Sequence, residues 1–192
     1  MDPFVGTAPA SASTPATVPA ALRKLYFVRF AFAAVWAALL FTSADTLGPV
    51  SVTLLLLYPL FDVAAAVVDL RAARANGGKA PALLVNIAIS SLTVIGLAVA
   101  ATSGIPAVLR VWGAWAVVSG IVQLVAGALR RKLGGQWPMI VSGAISTLAG
   151  SSFIASAAGD DASLSSLAGY AFLGGLFFLA SALRLGRARD AV

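Results

Sequence analysis

Apolar and polar positions alternate in long blocks along this chain, and most charged residues fall in short gaps between apolar stretches. A helix needs about 20 consecutive apolar residues to cross the hydrocarbon core of a bilayer. The pattern therefore predicts an all-α integral membrane protein with six transmembrane helices. The predicted spans are Tyr26–Phe41, Val50–Leu70, Pro81–Ala101, Pro106–Leu129, Pro138–Ala157 and Leu164–Leu183.

Composition supports a membrane location. The chain is 60% hydrophobic and 10% charged, whereas a soluble domain carries about 25% charged residues. The net charge of +6 does not indicate nucleic-acid binding, because the basic residues lie in short loops and at the ends, not on one folded face. Membrane lipids are the expected partners.

Lysine and arginine occupy every second gap, which predicts the orientation. The first gap holds Asp45, the third holds no charged residue, and the fifth holds Asp160 and Asp161. None of these three gaps contains lysine or arginine. Basic residues in short loops mark the cytoplasmic side, so both termini are predicted to be cytoplasmic. The residues on that side are Arg23, Lys24, Arg71, Arg74, Lys79, Arg130, Arg131, Lys132, Arg184, Arg187 and Arg189.

Three segments are predicted along the chain. Residues 1–21 are rich in alanine, serine, threonine and proline, and we expect a disordered cytoplasmic tail there, with no cleaved signal. Residues 22–187 form the six-helix transmembrane domain, and residues 188–192 form a C-terminal tail.

An internal repeat divides the membrane domain into three units. Pro49 aligns with Pro106, Tyr58 with Trp115, and Pro81 with Pro138, all at one ungapped offset of 57 residues. A third copy follows at an offset of 55, where Trp115 aligns with Tyr170. The repeats cover about 24–80, 81–137 and 138–188, and each is a helical hairpin of the same orientation. The repeats are therefore expected to be parallel and related by a pseudo-threefold axis along the membrane normal.

Small residues recur at helix-contact spacing in spans four, five and six. They would form contacts inside one bundle or a dimerisation face of a homo-oligomer, since close packing of small residues holds helices together in lipid. Contacts inside the bundle are favoured because several helices carry them. The residues are Gly113, Gly120, Gly127, Ser142, Gly143, Ser146, Gly150, Gly174 and Gly175.

Three segments of the chain resemble the HdeD-like family of bacterial inner-membrane proteins. They are LYPLFDVAAAVVDLRAAR from Leu57, WAVVSGIVQLVAGALRRK from Trp115 and QWPMIVSGAISTLAG from Gln136. The resemblance covers about residues 22–187 and implies a multi-pass protein of the bacterial plasma membrane, in a family whose namesake is associated with acid resistance. Family members often carry glutamate where this chain has Asn86 and Gln123, so acid resistance is carried over as a family label only.

Four polar residues, Arg29, Asp62, Asn86 and Gln123, form a predicted layer inside the membrane. The resemblance points to these positions, and so does depth, because a helical rise of about 1.5 Å per residue places all four in the cytoplasmic half. Charges in hydrocarbon are costly and usually face the bundle interior. The layer is either a structural network in which Arg29 pairs with Asp62, or a polar cavity or ion site. Arg110, nearer the outer boundary, is expected to reach the surface.

Enzymatic chemistry is not indicated. The chain has no cysteine, histidine or glutamate, so no catalytic, cofactor-binding or metal-ligating set is predicted. Asp160 and Asp161 are expected to form a solvated turn. Two function classes follow: a non-enzymatic membrane protein of envelope or acid stress, and a small-solute or ion transporter that uses the polar layer.

Overall fold

The structure is a computed structural model of the 192-residue chain and describes residues 17–75, 77–129 and 137–190. These residues form six α-helices and no strand: α1 (Thr17–Phe41), α2 (Pro49–Ala75), α3 (Pro81–Ala100), α4 (Ile105–Leu129), α5 (Trp137–Ser156) and α6 (Ser165–Asp190). Residues 1–16 of the predicted tail, the basic turn containing Arg130, Arg131 and Lys132, and residues 191–192 lie outside this description.

The all-helical prediction is confirmed, and the apolar helices fit a multi-pass membrane protein. Five of them, all except α5, are long and apolar enough to cross a membrane. The apolar part of α5 that can be described, Ile140–Ser156, is shorter. Large apolar side chains such as Leu92 and Leu148 are exposed on the outer faces of the helices, as expected for surfaces that contact lipid chains.

Helix ends follow local chemistry. Pro49 and Pro81 begin α2 and α3, where a missing amide hydrogen costs nothing. Gly77 and Gly104 adopt φ values of +70° and +99° in the turns that follow α2 and α3, a backbone region that glycine enters without strain.

Both terminal helices extend beyond the predicted spans. α1 begins at Thr17 and so includes residues 17–21 of the stretch predicted as a disordered tail, and α6 continues to Asp190 through part of the predicted C-terminal tail. Alanine and leucine favour helix, and a proline such as Pro19 is tolerated in a first turn.

The six helices form a closed ring in chain order. Each helix packs against its neighbours in the sequence, and α6 packs against α1. The most extensive interfaces are α4–α5, α1–α6 and α2–α3, whereas α1–α2 and α5–α6 meet over small areas. The loops of 42–48 and 157–164 close the ring at one end, where the Leu164 amide donates to the Ala44 carbonyl at 3.1 Å. We call the end with the loops 42–48, 101–104 and 157–164 the short-loop end. The opposite end, where Arg71, Arg74 and Lys79 lie, is called the basic end.

Glycines make the α4–α5 interface the closest in the bundle. A Cβ atom on Gly113 would lie 2.6 Å from the Gly150 carbonyl oxygen, and one on Gly120 would lie 2.7 Å from the Gly143 carbonyl oxygen. The two helices therefore approach backbone to backbone over two turns. For these four glycines, contact inside one bundle is confirmed.

The apolar core lies toward the short-loop end. Its centre is an aromatic cluster formed by Trp36, Tyr58, Trp112 and Trp115, in which Trp36 stacks on Trp112 at 5.4 Å between centroids and Tyr58 lies 5.6 Å from Trp112. These side chains come from α1, α2 and α4, so they fill the middle of the ring. The charged side chains of the interior, Arg29, Asp62 and Asp69, lie nearer the basic end.

Candidate functional site: an intramembrane polar cluster

The predicted pair of Arg29 and Asp62 is present inside the ring. Arg29 on α1 donates from Nη1 to Oδ1 of Asp62 on α2 at 3.4 Å. The two side chains are 11% and 20% exposed. A charge alone in hydrocarbon costs about 2.5–3.5 kcal/mol on insertion scales, so each residue compensates the other. The two side chains thus face each other at the α1–α2 interface, the arrangement expected from their similar depth.

Asp62 is the centre of a wider network. Its Oδ2 atom accepts a hydrogen bond from Nδ2 of Asn86 at 2.7 Å and another from Oγ of Ser90 at 2.9 Å. Both donors are on α3, one helical turn apart. Oγ of Ser90 in turn accepts from the indole nitrogen of Trp115 at 3.1 Å. The carboxylate thus joins α1, α2 and α3 directly, and Ser90 extends the network to Trp115 on α4.

Asp69 belongs to the same cluster, although the sequence interpretation did not include it. Its Oδ2 atom lies 3.6 Å from Nη2 of Arg29. Asp62 and Asp69 are seven residues apart, which puts them on one face of α2, and that spacing was the available signal. One guanidinium therefore stands between two carboxylates, and the plane of Arg29 also lies over the ring of Phe178 at 4.9 Å.

Gln123 does not take part in these contacts among the described residues. Depth places it at the same height as the others, but height says nothing about which way a side chain faces around its helix. Arg110 donates from Nη2 to the Ala157 carbonyl at 3.3 Å, at the end of α5, where a cation is favourable. Its exposed position agrees with the expectation that it reaches the surface.

Several buried donors in the described interior have no partner: Nε of Arg29, the indole nitrogen of Trp112 and Oγ of Ser119. An unpaired buried donor costs about 1–3 kcal/mol. By contrast, the indole nitrogen of Trp36 donates to the Leu54 carbonyl at 2.6 Å. The next carbonyl, that of Leu55, lacks its usual amide donor in α2, because Pro59 has no N–H group.

The cluster has the chemistry of charge pairing and does not resemble a metal centre. No group of three histidine, cysteine, aspartate or glutamate residues lies close enough to hold a metal ion within the described ranges. Comparisons with protein-family models, with curated proteins and with solved structures found no match for this chain.

Proposed function

We propose that this chain is a non-enzymatic, six-span protein of the bacterial plasma membrane, of the HdeD-like type, that acts in envelope or acid stress. Both termini are cytoplasmic in this proposal, and the basic end faces the cytoplasm. The observation that carries it is the packing of the ring: aromatic side chains fill its middle toward the short-loop end, and Asp62 is engaged by three neighbouring side chains. Such an interior supports a structural role for the cluster.

The repeat architecture is part of the same proposal. Arg29 and Asn86 differ by the 57-residue offset, and they bond Asp62 from α1 and α3, which pack on either side of α2. Equivalent positions of two units thus meet at one carboxylate. This supports three parallel hairpins arranged around a common axis.

Survival of a bacterial strain lacking its own copy of the gene tests the stress role. The full chain should restore survival after acid challenge, and Arg29→Leu should reduce it because the polar cluster is lost. Arg110→Leu is the matched control, since it removes an arginine at the surface. Failure of the full chain to restore survival at equal membrane abundance would contradict the proposal.

A second candidate is transport of a small solute or ion through the polar layer. Two observations favour it: two carboxylates share one guanidinium, and buried donors of Trp112 and Ser119 lack partners. A cation would bind the carboxylates, and a polar solute would accept hydrogen bonds from the unpaired donors.

Ion and proton flux in liposomes containing the purified chain separates the two candidates. The stress proposal expects the same flux as in liposomes without protein. Flux that disappears in Asp69→Asn, while that variant keeps its fold, would instead establish the transport role.

A further inference from the structure

A groove runs along the outer face of the ring between α1 and α2, at one of the smallest helix interfaces. Its volume is about 510 Å³, within the range of about 300–1,000 Å³ found for small-molecule pockets. Every side chain that lines it is apolar. They include Val28, Ala31, Phe32, Val35, Leu39, Leu57 and Phe61.

The floor of the groove separates it from the polar cluster. Phe32 and Phe61 stack at 3.8 Å between centroids and bridge the two helices. Val28, Val35 and Leu57 are exposed on the outer surface of the bundle, so the groove opens sideways toward the bilayer. From Val28 to Leu39 it extends about 16 Å, roughly half the hydrocarbon thickness of a membrane. One acyl chain of one leaflet fits that length.

A cation lies beyond the basic end of each wall: Lys24 is one turn past Val28 on α1, and Arg71 is about 15 Å past Phe61 on α2. On α1 the exposed stripe Val28, Ala31 and Val35 is preceded, one turn earlier, by exposed Lys24. On α2 the stripe from Leu57 and Phe61 continues through exposed Val68 to exposed Arg71. Arg23 points elsewhere, because its guanidinium lies over the Phe27 ring at 5.5 Å.

The two cations are at about the same height. Arg29 bonds both Asp62 and Asp69, so its level on α1 lies between theirs on α2. Lys24 is about 7–8 Å nearer the basic end than Arg29 at a rise of 1.5 Å per residue, which brings it level with the region of Arg71. The mouth of the groove is therefore positively charged on both sides.

We propose that the α1–α2 groove binds one anionic phospholipid of the leaflet at the basic end, with its phosphate between Lys24 and Arg71 and one acyl chain along Val28–Leu39. The inference does not depend on the stress or transport role. Charge selects the headgroup, and the apolar walls hold the chain.

Native mass spectrometry of the full-length protein tests the site. Phosphatidylglycerol and phosphatidylcholine with identical acyl chains serve as probes. Phosphatidylglycerol should bind more tightly. The Lys24→Gln/Arg71→Gln variant should lose this preference. Its affinity for phosphatidylglycerol should fall about fivefold for each cation removed. Arg74→Gln/Lys79→Gln is the matched control, because it removes two charges of the basic end that lie off both stripes, and it should keep the preference.

Ala31→Phe tests the groove separately from the headgroup. Ala31 is exposed, so the larger side chain fills the groove without entering the core, and binding of both lipids should fall. Equal binding of the two lipids to the unmodified protein would show that charge does not select the headgroup and would overturn the site. An equal loss in the control pair would show diffuse surface charge and would also overturn it. Unchanged binding in Ala31→Phe would overturn the groove.

Discussion

Replacing Gly120 by alanine tests the α4–α5 contact directly. The added Cβ would lie 2.7 Å from three atoms of α5: the Gly143 carbonyl oxygen, and the Thr147 amide nitrogen and hydroxyl oxygen. Two of the three are backbone atoms, so no side-chain rotation relieves the overlap. The helices must separate by several tenths of an ångström, and a gap of 0.5–1 Å forfeits about a quarter to a half of the dispersion energy across it.

The expected loss is the difference between two effects. Alanine favours helix over glycine by about 1 kcal/mol, whereas overpacking of a close interface costs about 1–3 kcal/mol and occasionally more. Here the overlap involves backbone, so the upper part of that range applies, and the net loss should be about 1–2 kcal/mol. For a chain of this size that lowers the melting temperature by about 2–8 °C.

Gly174→Ala on α6 is the matched control. A Cβ at that position meets nothing within 4 Å, so helix propensity acts alone and the melting temperature should stay constant or rise by a few degrees. Thermal unfolding of both variants in the same detergent, followed by circular dichroism, measures the two changes. If Gly120→Ala were as stable as Gly174→Ala, the close approach of α4 and α5 would be wrong.

Three further predictions follow from the same structure. Arg29→Leu should lower stability by about 3 kcal/mol or more, because it leaves two carboxylates unpaired, and Arg29→Leu/Asp62→Asn/Asp69→Asn should recover most of it in the same thermal assay; equal losses would contradict a charge-pairing role. Trp36→Phe should cost about 1–2 kcal/mol by leaving the Leu54 carbonyl without its indole donor, whereas Trp137→Phe, at a side chain that is 74% exposed, should change little. In intact cells an impermeant thiol reagent should label Asp45→Cys but not Arg74→Cys; labelling of Arg74→Cys alone would invert the topology.

Much of the architecture was accessible from the chain itself. Six helices with apolar lengths near those of membrane spans follow from the blocks of apolar residues, because hydrocarbon requires internally satisfied backbone hydrogen bonds. The Arg29–Asp62 pair was also accessible, since depth along a helix follows from residue number and two opposite charges at one depth stabilise each other.

Packing decided the remainder. Residue number gives a side chain's height in the membrane, but the direction it faces around the ring depends on which helices become neighbours. For that reason Asp69 and Ser90 join the cluster while Gln123, at the same height, does not. The close α1–α6 interface and the groove between α1 and α2 likewise arise because the ring closes on itself, and closure depends on side chains that are distant in the chain. The sequence by itself therefore determined the helices and their depth, and the tertiary structure decided their partners.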